Sequence, residues 1–496
     1  MNGIMIQGTS SGSGKTFIVA GLCRLLTNMG FQVCPFKSQN MSNNAYVTHD
    51  GLEISTAQAV QAGAANLRPE VFMNPILLKP RHDKSSEIIL NGKVFSPSTK
   101  NYRNFTQNEG INAVRKALNY ISQNFQAVII EGAGSPAEIN LNSFEIVNMR
   151  ISREADVPVI LIADVDRGGS LAAVTGTLEL LGNDRKRVKG IIFNMFRGDI
   201  ELFKDAVKWT EDYTGVKVLG VVPFLNGVNI ADEDSLNITG HISASTKKIL
   251  IGIMRFPGIS NFSDFDALKI ENDTEFIYID ENITLKKFNS LDAVILPGTK
   301  NTFSALKWLR DYGFDALLRS FRGFIFGICG GFQILGSEIA DDYYHENHDF
   351  TRLDGLNLLP LKTNFNSENK ITRQVSGFIY GTDKKISGYE IHFGRSECYY
   401  NHEFLPMFLI NDEPEGICGH EMRVSGTYLH GAFNNDNFRN LWLNNIRKNK
   451  NYGEHETHTV INNPYDEISG ILSKSLDVDF IVDLIFHRAG TTPQPV

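Results

Sequence analysis

The stretch Gly8-Thr9-Ser10-Ser11-Gly12-Ser13-Gly14-Lys15-Thr16 lies between a short apolar run, Ile4-Met5-Ile6, and a segment of helical spacing. A glycine-rich turn between a strand and a helix exposes consecutive backbone N–H groups, and the helix dipole adds to them, so such a turn binds phosphate. Lys15 would reach the terminal phosphates of a nucleotide, and the Thr16 hydroxyl would ligate Mg²⁺. The strict pattern has glycine where this chain has Thr9, and Gly8 stands one residue earlier, so the loop is a longer variant. We therefore predict a nucleotide site with these phosphate-binding residues: Gly8, Thr9, Gly12, Ser13, Gly14, Lys15 and Thr16.

The composition is typical of a globular protein. The chain has 496 residues, 42% of them hydrophobic and 21% charged, a length that predicts roughly two to four domains. A net charge of −8 gives no reason to expect a nucleic-acid partner, and no apolar run approaches the ~20 residues that span a bilayer. The N-terminus lacks a basic region followed by an apolar stretch, so we expect no signal peptide. The five cysteines have no paired spacing, which favours a reducing cytoplasm over a disulfide framework or a zinc site.

Short apolar runs alternate with helical segments through the first half of the chain. These runs are Gln32–Phe36, Ala127–Ile130, Val157–Ala163, Lys189–Phe193 and Lys217–Val222. Continuous apolar strands are typical of a parallel sheet covered on both faces, which predicts an α/β domain. Functional residues then lie beyond the carboxyl ends of the strands. Polar side chains follow four of the runs at such positions: Lys37, Glu131, Asp164 with Asp166, and Asn194.

Polar segments after these strands are candidates for substrate and metal binding. The loop Lys37–Asn44 is rich in amides, and it is either a solvated connection or a source of donors and acceptors for a polar substrate. Glu131 ends a buried strand beside glycines, a placement that matches the second metal-binding element of phosphate-loop enzymes. Asp164-Val165-Asp166 repeats that arrangement, and the less favoured alternative is a helix N-cap with a surface ion pair. Of Asp50 and Glu53, which follow the loop, we expect Asp50 to join the Mg²⁺ shell.

The composition changes at Asp232–Lys248, which is small and polar, and we place the domain boundary there. The predicted organisation is a phosphate-loop domain over 1–235, a linker over 236–248, a second α/β domain over 249–445 and an extension of unknown role over 446–496. The strands expected in the second domain are Ile249–Arg255, Ala293–Leu296 and Phe324–Ile328. In the extension, Phe480–Phe486 has the pattern of a short helix, although a strand is not excluded, and Gly490–Val496 is expected to be a disordered tail.

The second half centres on Gly327-Ile328-Cys329-Gly330-Gly331, where an apolar strand ends and an apolar helix begins. A nucleophile on so tight a turn needs glycine two residues away on either side, because a Cβ there would clash. The alternative is a small buried cysteine, the usual state of a free Cys, but the paired glycines favour a nucleophile at Cys329. The helix N-terminus would favour its thiolate.

The other groups of such a site come from separate segments. Backbone N–H groups of Gly330 and of Gly298, which follows another strand, would stabilise the oxyanion. The base is either His430, in Tyr428-Leu429-His430-Gly431, or His392, in Glu390-Ile391-His392-Phe393. His430 is the leading candidate because it closes a short apolar run and precedes a glycine.

These motifs together resemble the cobyric acid synthase family, the glutamine-dependent amidases of cobalamin biosynthesis. Beside the phosphate loop, the resemblance rests on Pro35–Asn44, Met73–Pro80, Glu131–Asn140 and Asp166–Gly169. It extends from the N-terminus to about Phe433, and Ser170-Leu171 departs from it, since a bulkier apolar pair is expected there. The family's first half is similar to dethiobiotin synthetase, and the segment around His430 resembles class I glutamine amidotransferase domains. The implied fold is two parallel-sheet α/β domains.

The resemblance implies roles for individual residues. Lys37 would face the reacting phosphate, Asn194 would read adenine, and Glu131 would hold Mg²⁺. A corrinoid substrate would meet the polar motifs after Lys37 and Glu131, and we assign to it Gln39, Asn40, Ser42, Asn43, Asn44, Ser135 and Asn140.

The third member of the amidotransferase triad is missing from its usual place. Class I domains have a Glu two residues after the histidine, and this chain has Ala432 there. The cobyric and cobyrinic acid synthase branch shares this departure. Another carboxylate, backbone or water would then orient His430, and Glu390 is one candidate that the sequence does not decide.

The implied reaction uses ATP, Mg²⁺ and glutamine to amidate the b, d, e and g carboxylates of adenosylcobyrinic acid a,c-diamide. A carboxylate does not react with ammonia directly, because its leaving group is too poor, whereas an acyl phosphate releases phosphate readily. Cys329 and His430 would supply the ammonia from glutamine. The expected partners are glutamine and the corrinoid, with no nucleic acid and no membrane, and a homo-oligomer is not excluded.

Three alternatives remain open. Cobyrinic acid a,c-diamide synthase carries out the same two reactions on other side chains, although the motifs Lys37–Asn44 and Glu131–Asn140 favour the cobyric enzyme. A ParA-type nucleotide switch shares the phosphate loop, but it has a second lysine where this chain has Ser10, and it needs no nucleophile at Cys329. A degenerate amidotransferase domain would only bind a partner.

Overall fold

The computed structural model describes residues 1–80, 86–96, 101–141, 144–225, 248–342, 346, 351–365, 370–456 and 464–486. The linker expected over 236–248 lies outside these residues except for its last position, and so does the tail expected over 490–496. Among the described residues, no helix is both long enough and apolar enough to cross a membrane.

The strands of the first half are β1 (Gly3–Gly8), β2 (Val33–Phe36), β3 (Gln39–Met41), β4 (Ala45–Val47), β5 (Glu53–Ser55), β6 (Ile76–Pro80), β7 (Ser86–Leu90), β8 (Lys93–Ser96), β9 (Ala127–Glu131), β10 (Val159–Asp164), β11 (Val188–Phe196) and β12 (Val218–Pro223). Its helices are α1 (Lys15–Asn28), α2 (Thr56–Ala64), α3 (Tyr102–Phe105), α4 (Ile111–Asn124), α5 (Met149–Ala155), α6 (Ser170–Leu180) and α7 (Ile200–Thr214).

A parallel sheet forms the centre of the first domain, with strand order β12-β11-β10-β1-β9-β2. β1, β9 and β10 are buried along their whole length, as their continuous apolar sequences require. The register pairs Ile6 with Glu131 and Asp164 with Asn194. The polar residues after neighbouring strands therefore meet at one edge of the sheet, and the five strands expected in this half are confirmed.

A second small sheet was not expected from the sequence. Strands β3, β6, β7 and β8 form it in that order, and β4 pairs with β5 in a separate hairpin. Lys37–Asn44, described above as a loop, therefore includes a short strand, Gln39–Met41, parallel to β6. Its amides gave no strand signal, because the pairing with β6 is set by tertiary structure.

The strands of the second half are β13 (Ile249–Met254), β14 (Thr274–Ile279), β15 (Ala293–Leu296), β16 (Phe324–Ile328), β17 (Glu338–Ala340), β18 (Arg352–Asp354), β19 (Leu361–Asn364), β20 (Ile371–Ile379), β21 (Lys385–His392), β22 (Arg395–Cys398), β23 (Leu405–Ile410), β24 (Glu413–Cys418) and β25 (Val424–Thr427). The helices are α8 (Asp266–Lys269), α9 (Leu285–Phe288), α10 (Thr302–Asp311), α11 (Phe314–Ser320), α12 (Gly330–Ile334), α13 (Asp436–Asn449), α14 (Pro464–Ser475) and α15 (Val478–Phe486).

The large sheet of the second domain is mixed. Its order is β14-β13-β15-β16-β25-β24-β23-β20-β21, and the pairs from β14 to β25 are parallel. The remaining pairs, from β25 to β21, are antiparallel. The prediction of an α/β domain with a parallel sheet is confirmed for the half that carries Cys329, and the antiparallel half adds to it.

The C-terminal extension returns to the first domain. Phe480–Phe486 lies within helix α15, and both α14 and α15 contribute to a buried cluster with α1. Ile468 and Leu472 lie so close to Gly21 that a Cβ there would clash with both. The Asp477 N–H donates to the Leu219 carbonyl at 2.7 Å. The extension therefore completes the core of the phosphate-loop domain.

Buried ionic and apolar contacts join the two domains. Lys300 pairs with Glu87, and Lys370 pairs with Glu53, which also binds Lys79. Burial opposes ionisation of Glu53, but Lys370 and Lys79 outweigh the effect of burial and lower the pKa of Glu53 to about 2. An apolar cluster beside these pairs contains Ala45, Val47, Leu77, Ile89, Tyr389 and Ile391. The first domain thus packs directly against the segment that ends in His392.

Candidate active site

The phosphate loop has the backbone geometry of an anion site. Gly12 and Gly14 have positive φ, 72° and 85°, which favours glycine at both positions. A Cβ at Gly8 would fill the space next to the Ser13 hydroxyl and the Lys15 ammonium. Lys15 Nζ lies 3.1 Å from the Ser10 carbonyl oxygen. The residues predicted to bind phosphate therefore surround one cradle.

Glu131 is the centre of a buried polar cluster. Its Oε1 accepts from the Thr16 hydroxyl and from Lys37 Nζ, both at 3.0 Å, and Gln61 donates to its Oε2. We call these four residues the Glu131 cluster. Gln61 was missed by the sequence analysis, because an amide on a helix gives no signal until its buried face is known.

This donor set fits a magnesium nucleotide. Mg²⁺ prefers carboxylate, hydroxyl and phosphate oxygens, and Thr16 and Glu131 place a hydroxyl and a carboxylate in contact. The buried Ser13 hydroxyl has no hydrogen-bond partner among the described residues, which suits a phosphate at the loop. Asn194 Nδ2 donates to the Ser13 carbonyl at 2.9 Å, so this residue, which was predicted to bind adenine, lies against the phosphate loop.

Asp164 and Asp166 lie beside the loop that follows β10. Asp164 Oδ1 accepts from the Asp166 N–H at 2.8 Å, and its Oδ2 lies 3.3 Å from Arg167. Asp166 pairs with Arg197 at the surface. These contacts agree with the surface ion pair of the alternative interpretation, but not with its N-cap, because Gly169 is the N-cap of α6 and has no side chain to cap it.

Asp50 lies apart from the cluster. It is exposed, in the turn of the β4–β5 hairpin, and the adjoining Gly51 packs against the Thr372 carbonyl of the second domain. Glu53, the other carboxylate considered for this role, is bound by Lys79 and Lys370. Among the described residues, no contact joins Asp50 to Thr16 or Glu131, so its role as a magnesium ligand stays a prediction.

The residues assigned to the corrinoid divide into two groups. Gln39, Asn40, Ser42, Asn43 and Asn44 lie on or beside β3, and all but the half-buried Asn43 are buried. The buried Asn43 Oδ1 has no hydrogen-bond partner among the described residues. Ser135 Oγ accepts from the Ala137 N–H, and Asn140 is exposed.

Cys329 occupies a strained turn at the end of β16. Its φ of 52° and ψ of −110° are unusual for a residue with a Cβ, and they are typical of a nucleophile held between a strand and a helix. A Cβ at Gly327 would lie 2.8 Å from the Gly331 carbonyl carbon. A Cβ at Gly331 would in turn clash with the Leu296 carbonyl. The tight turn therefore requires both glycines, for the reason that the sequence suggested.

His430 forms a buried pair with Asp264. His430 Nδ1 lies 2.8 Å from Asp264 Oδ2, and Asp264 Oδ1 accepts from the Gly431 N–H at 2.9 Å. Burial alone lowers the pKa of His430, but the carboxylate and Cys329 outweigh it and raise the pKa to about 10. Cys329 also interacts with the His430 ring, and Asn261 Nδ2 lies 3.4 Å from Nε2 of that ring. This is the arrangement of a nucleophile, a base and an orienting carboxylate.

Asp264 was missed by the sequence analysis. It lies in a short 3₁₀ turn, Phe262–Phe265, which follows β13, the strand beside β15. The sequence did contain an indication of it: Asp264 follows a predicted strand, and polar residues that follow adjacent parallel strands lie at the same edge of a sheet. Glu390 instead pairs with Arg373 at 2.7 Å.

His392 lies in the same region but is held differently. Its ring stacks on Tyr428 with centroids 3.7 Å apart, and its Nδ1 lies 3.0 Å from the Gly394 carbonyl oxygen. Burial lowers the pKa of His392 to about 3, so it is neutral. The geometry favours His430 over His392 as the base.

The two glycines expected at the oxyanion lie close to the catalytic pair. A Cβ at Gly298 would lie 3.2 Å from His430 Cε1, and one at Gly330 would lie 3.2 Å from the Thr299 backbone nitrogen. The loop after β15 and the turn after β16 therefore meet, which agrees with the placement expected of oxyanion donors.

The fold and these two sites define a class: an amidotransferase with a nucleotide-binding domain and a glutamine amidotransferase domain. The family model for the CobQ/CobB/MinD/ParA nucleotide binding domain matches residues 4–238, and the CobB/CobQ-like glutamine amidotransferase domain matches residues 250–438. The chain is 40% identical to the cobyric acid synthase of Clostridium acetobutylicum, over 98% of this chain and 99% of that one. It is 41% identical to that of Clostridium tetani, over 97% and 98%.

The chain belongs to the cobyric acid synthase family, whose members are glutamine-hydrolysing amide ligases of cobalamin biosynthesis. The predictions of family, fold class and enzyme class are confirmed. A solved structure described as a glutamine amidotransferase is 17% identical, with a TM-score of 0.30, and covers 40% of this chain and 98% of its own.

Proposed function

We propose that this enzyme uses ATP and glutamine to amidate the b, d, e and g carboxylates of adenosylcobyrinic acid a,c-diamide, giving adenosylcobyric acid. The observation that carries the proposal is the presence of two buried sites in one chain, the Glu131 cluster at the phosphate loop and the Cys329–His430–Asp264 site. The relatives' name, cobyric acid synthase, supports the corrinoid as substrate.

The first site activates the carboxylate. A carboxylate oxygen attacks the γ-phosphorus of ATP, the bond to the β–γ bridging oxygen breaks, and an acyl phosphate and ADP form. Lys15 and Lys37 neutralise the charge that develops on the transferring group. Thr16 and Glu131 would hold Mg²⁺, which when bound adds further charge stabilisation.

The second site releases ammonia from glutamine. Cys329 Sγ attacks the side-chain amide carbon, and the N–H groups of Gly298 and Gly330 stabilise the oxyanion. His430 gives its proton to the departing ammonia, and it later takes one from the water that hydrolyses the thioester to glutamate. Asp264 accepts from His430 Nδ1–H, which keeps the other ring nitrogen directed at the reacting atoms.

Ammonia must reach the acyl phosphate without gaining a proton, because ammonium is not nucleophilic. The apolar cluster of Ala45, Val47, Leu77, Ile89, Tyr389 and Ile391 lies between the two domains. Cys329 Sγ is 3.7 Å from the Ile391 carbonyl oxygen, so this cluster starts at the second site. We propose it as the wall of an internal passage. Free mixing of labelled external ammonium with glutamine nitrogen in the product would contradict this route.

Mass analysis of the product tests the proposed function. The enzyme is incubated with ATP, Mg²⁺, glutamine and the a,c-diamide, and each amidation replaces a hydroxyl by an amino group, a decrease of about one mass unit. Four successive decreases are expected. Unamidated cobyrinic acid in a parallel reaction distinguishes the alternative, cobyrinic acid a,c-diamide synthase, which would act on that substrate instead.

A further inference from the structure

The turn that carries Asp264 is bound by the other domain. Phe262 N–H, at the start of the 3₁₀ turn, donates to Asn44 Oδ1 at 3.1 Å. In the reverse direction, Ala45 N–H donates to Asn261 Oδ1 at 3.2 Å. Two hydrogen bonds therefore cross the domain boundary at adjacent residues on both sides, and an asparagine provides the acceptor in each.

Asn44 acts as an N-cap supplied from another domain. The first N–H groups of a helical turn have no partner within the turn, and a side-chain oxygen normally accepts from one of them locally. Here no local side chain caps the turn Phe262–Phe265. Asn44 fills that role at Phe262, two residues before Asp264 in the same turn.

Asn261 connects the same contact to the histidine. Its φ of 56° and ψ of 55° place it in the left-handed region, which asparagine tolerates better than most residues. Its Nδ2 lies 3.2 Å from His430 Nδ1, and its Oδ1 is the acceptor for Ala45. One amide thus touches the other domain and the catalytic ring at once.

Asn44 is itself held within the first domain. Its N–H donates to Ser42 Oγ at 3.0 Å, and its carbonyl accepts from the Thr56 N–H at 3.2 Å. The backbone of Asn44 is therefore fixed by contacts within the first domain. The same segment begins at Lys37, which is part of the Glu131 cluster.

We propose that Asn44, in the nucleotide-binding domain, is a positioning residue of the glutaminase site. It fixes the turn Phe262–Phe265, and through Asp264 in that turn it fixes the orientation of His430. The proposal rests on the glutaminase part of the proposed function. The docked first domain then increases the rate of glutamine hydrolysis even when no corrinoid or ATP is present.

The test measures glutaminase activity of the full chain without ATP and without corrinoid, as glutamate released. Removing the acceptor in Asn44→Ala leaves the turn without its cap, and we expect kcat to fall about three- to tenfold, the worth of one hydrogen bond, with KM for glutamine little changed. The pH dependence of kcat should also shift, because Asp264 no longer holds His430 as firmly. Asn44→Asp keeps an oxygen acceptor, and it should recover most of the rate.

A matched control breaks a different contact between the domains. Gln374 donates to the Val47 carbonyl across the same boundary but does not reach the turn, and Gln374→Ala should leave the glutaminase rate unchanged. An Asn44→Ala rate equal to wild type would overturn the proposal, as would an equal loss in Asn44→Ala and Asn44→Asp. Glutamate release that survives in Cys329→Ala would instead overturn the glutaminase assignment itself, so the two failures are distinguishable.

Discussion

The two sites are assembled in different ways. At the phosphate loop, the loop leads directly into α1, and Glu131 ends β9, the strand beside β1. The cysteine site instead draws Asp264, Cys329 and His430 from three segments, and 166 residues separate the carboxylate from the histidine. Both sites lie at the carboxyl ends of parallel strands, but only at the first does one contiguous loop, Gly8–Thr16, supply most of the predicted phosphate-binding groups.

This difference shows what a local motif can specify. A phosphate loop works through its own backbone N–H groups, so a short sequence contains most of the site. A nucleophile needs a base and the base needs an orienting group, and these must meet in space without any fixed spacing in the chain. Separate perturbation of the two sites tests whether they also act separately.

The largest effect is expected for Cys329→Ser. Glutamine-dependent amidation should fall by a factor of about 10⁴ or more, because a serine hydroxyl is a much weaker nucleophile than the sulfur that we propose attacks glutamine. Amidation with high external ammonia should persist, since the first site is intact. Product formation with each nitrogen source is the measurement, and Cys398→Ser, at a cysteine outside the site, is the control. Glutamine-dependent activity equal to wild type would contradict the assignment.

Asp264→Asn should reduce glutaminase kcat by about 10²- to 10⁴-fold, because an amide in place of the carboxylate no longer stabilises the imidazolium or fixes its tautomer. Glutamate release at saturating glutamine is the measurement. Asp266→Asn removes a nearby carboxylate that pairs with Lys269 instead, and it should be close to wild type. A similar loss in both variants would indicate general damage to the turn.

Lys15→Ala tests the first site. Amidation should fall about 10²- to 10³-fold with either glutamine or ammonia, because charge on the transferring phosphoryl group is no longer neutralised. The exposed Lys116→Ala, on α4, serves as control. A variant that lost only glutamine-dependent activity would show that Lys15 acts on the other domain.

Leu472→Ala should lower the free energy of unfolding of the first domain by about 2–4 kcal/mol, because the side chain is fully buried against α1. Urea denaturation of wild type and variant measures the difference. Leu202→Ala, at a side chain 82% exposed, should change it by less than about 0.5 kcal/mol. Equal effects would mean that the C-terminal helices do not belong to this core.

The free energy of unfolding should also depend on pH through the His430–Asp264 pair. The pKa of His430 rises from 6.5 to about 10 on folding, so its stabilising contribution is fully present below pH 6.5 and is lost as pH rises through about 10. The stability difference between wild type and Asp264→Asn should therefore shrink over that range. The decrease in free energy of unfolding caused by Leu472→Ala does not depend on the titration of this pair, so it should be the same across this pH range.

The α/β class, the five strands that the first sheet contains besides β1, and the phosphate loop could be predicted from the sequence. These follow from short apolar runs and glycine spacing, which act locally. The placement of Cys329 on a tight turn could also be predicted, because the glycines on either side of it are typical of such a turn. The small sheet around β3 and the antiparallel half of the second sheet were missed, since amide-rich or half-exposed strands owe their pairing to distant partners.

What the sequence determined by itself is the set of groups whose chemistry depends on adjacent residues: the phosphate cradle, the strand-end Glu131 and the nucleophile turn. The tertiary structure alone decided that Asp264 orients His430, that Gln61 binds Glu131, and that the last helices pack on α1. Each of these depends on which segments become neighbours when the apolar surfaces are buried. Such contacts cannot be predicted from spacing along the chain, because the segments that become neighbours depend on how the whole chain buries its apolar surface.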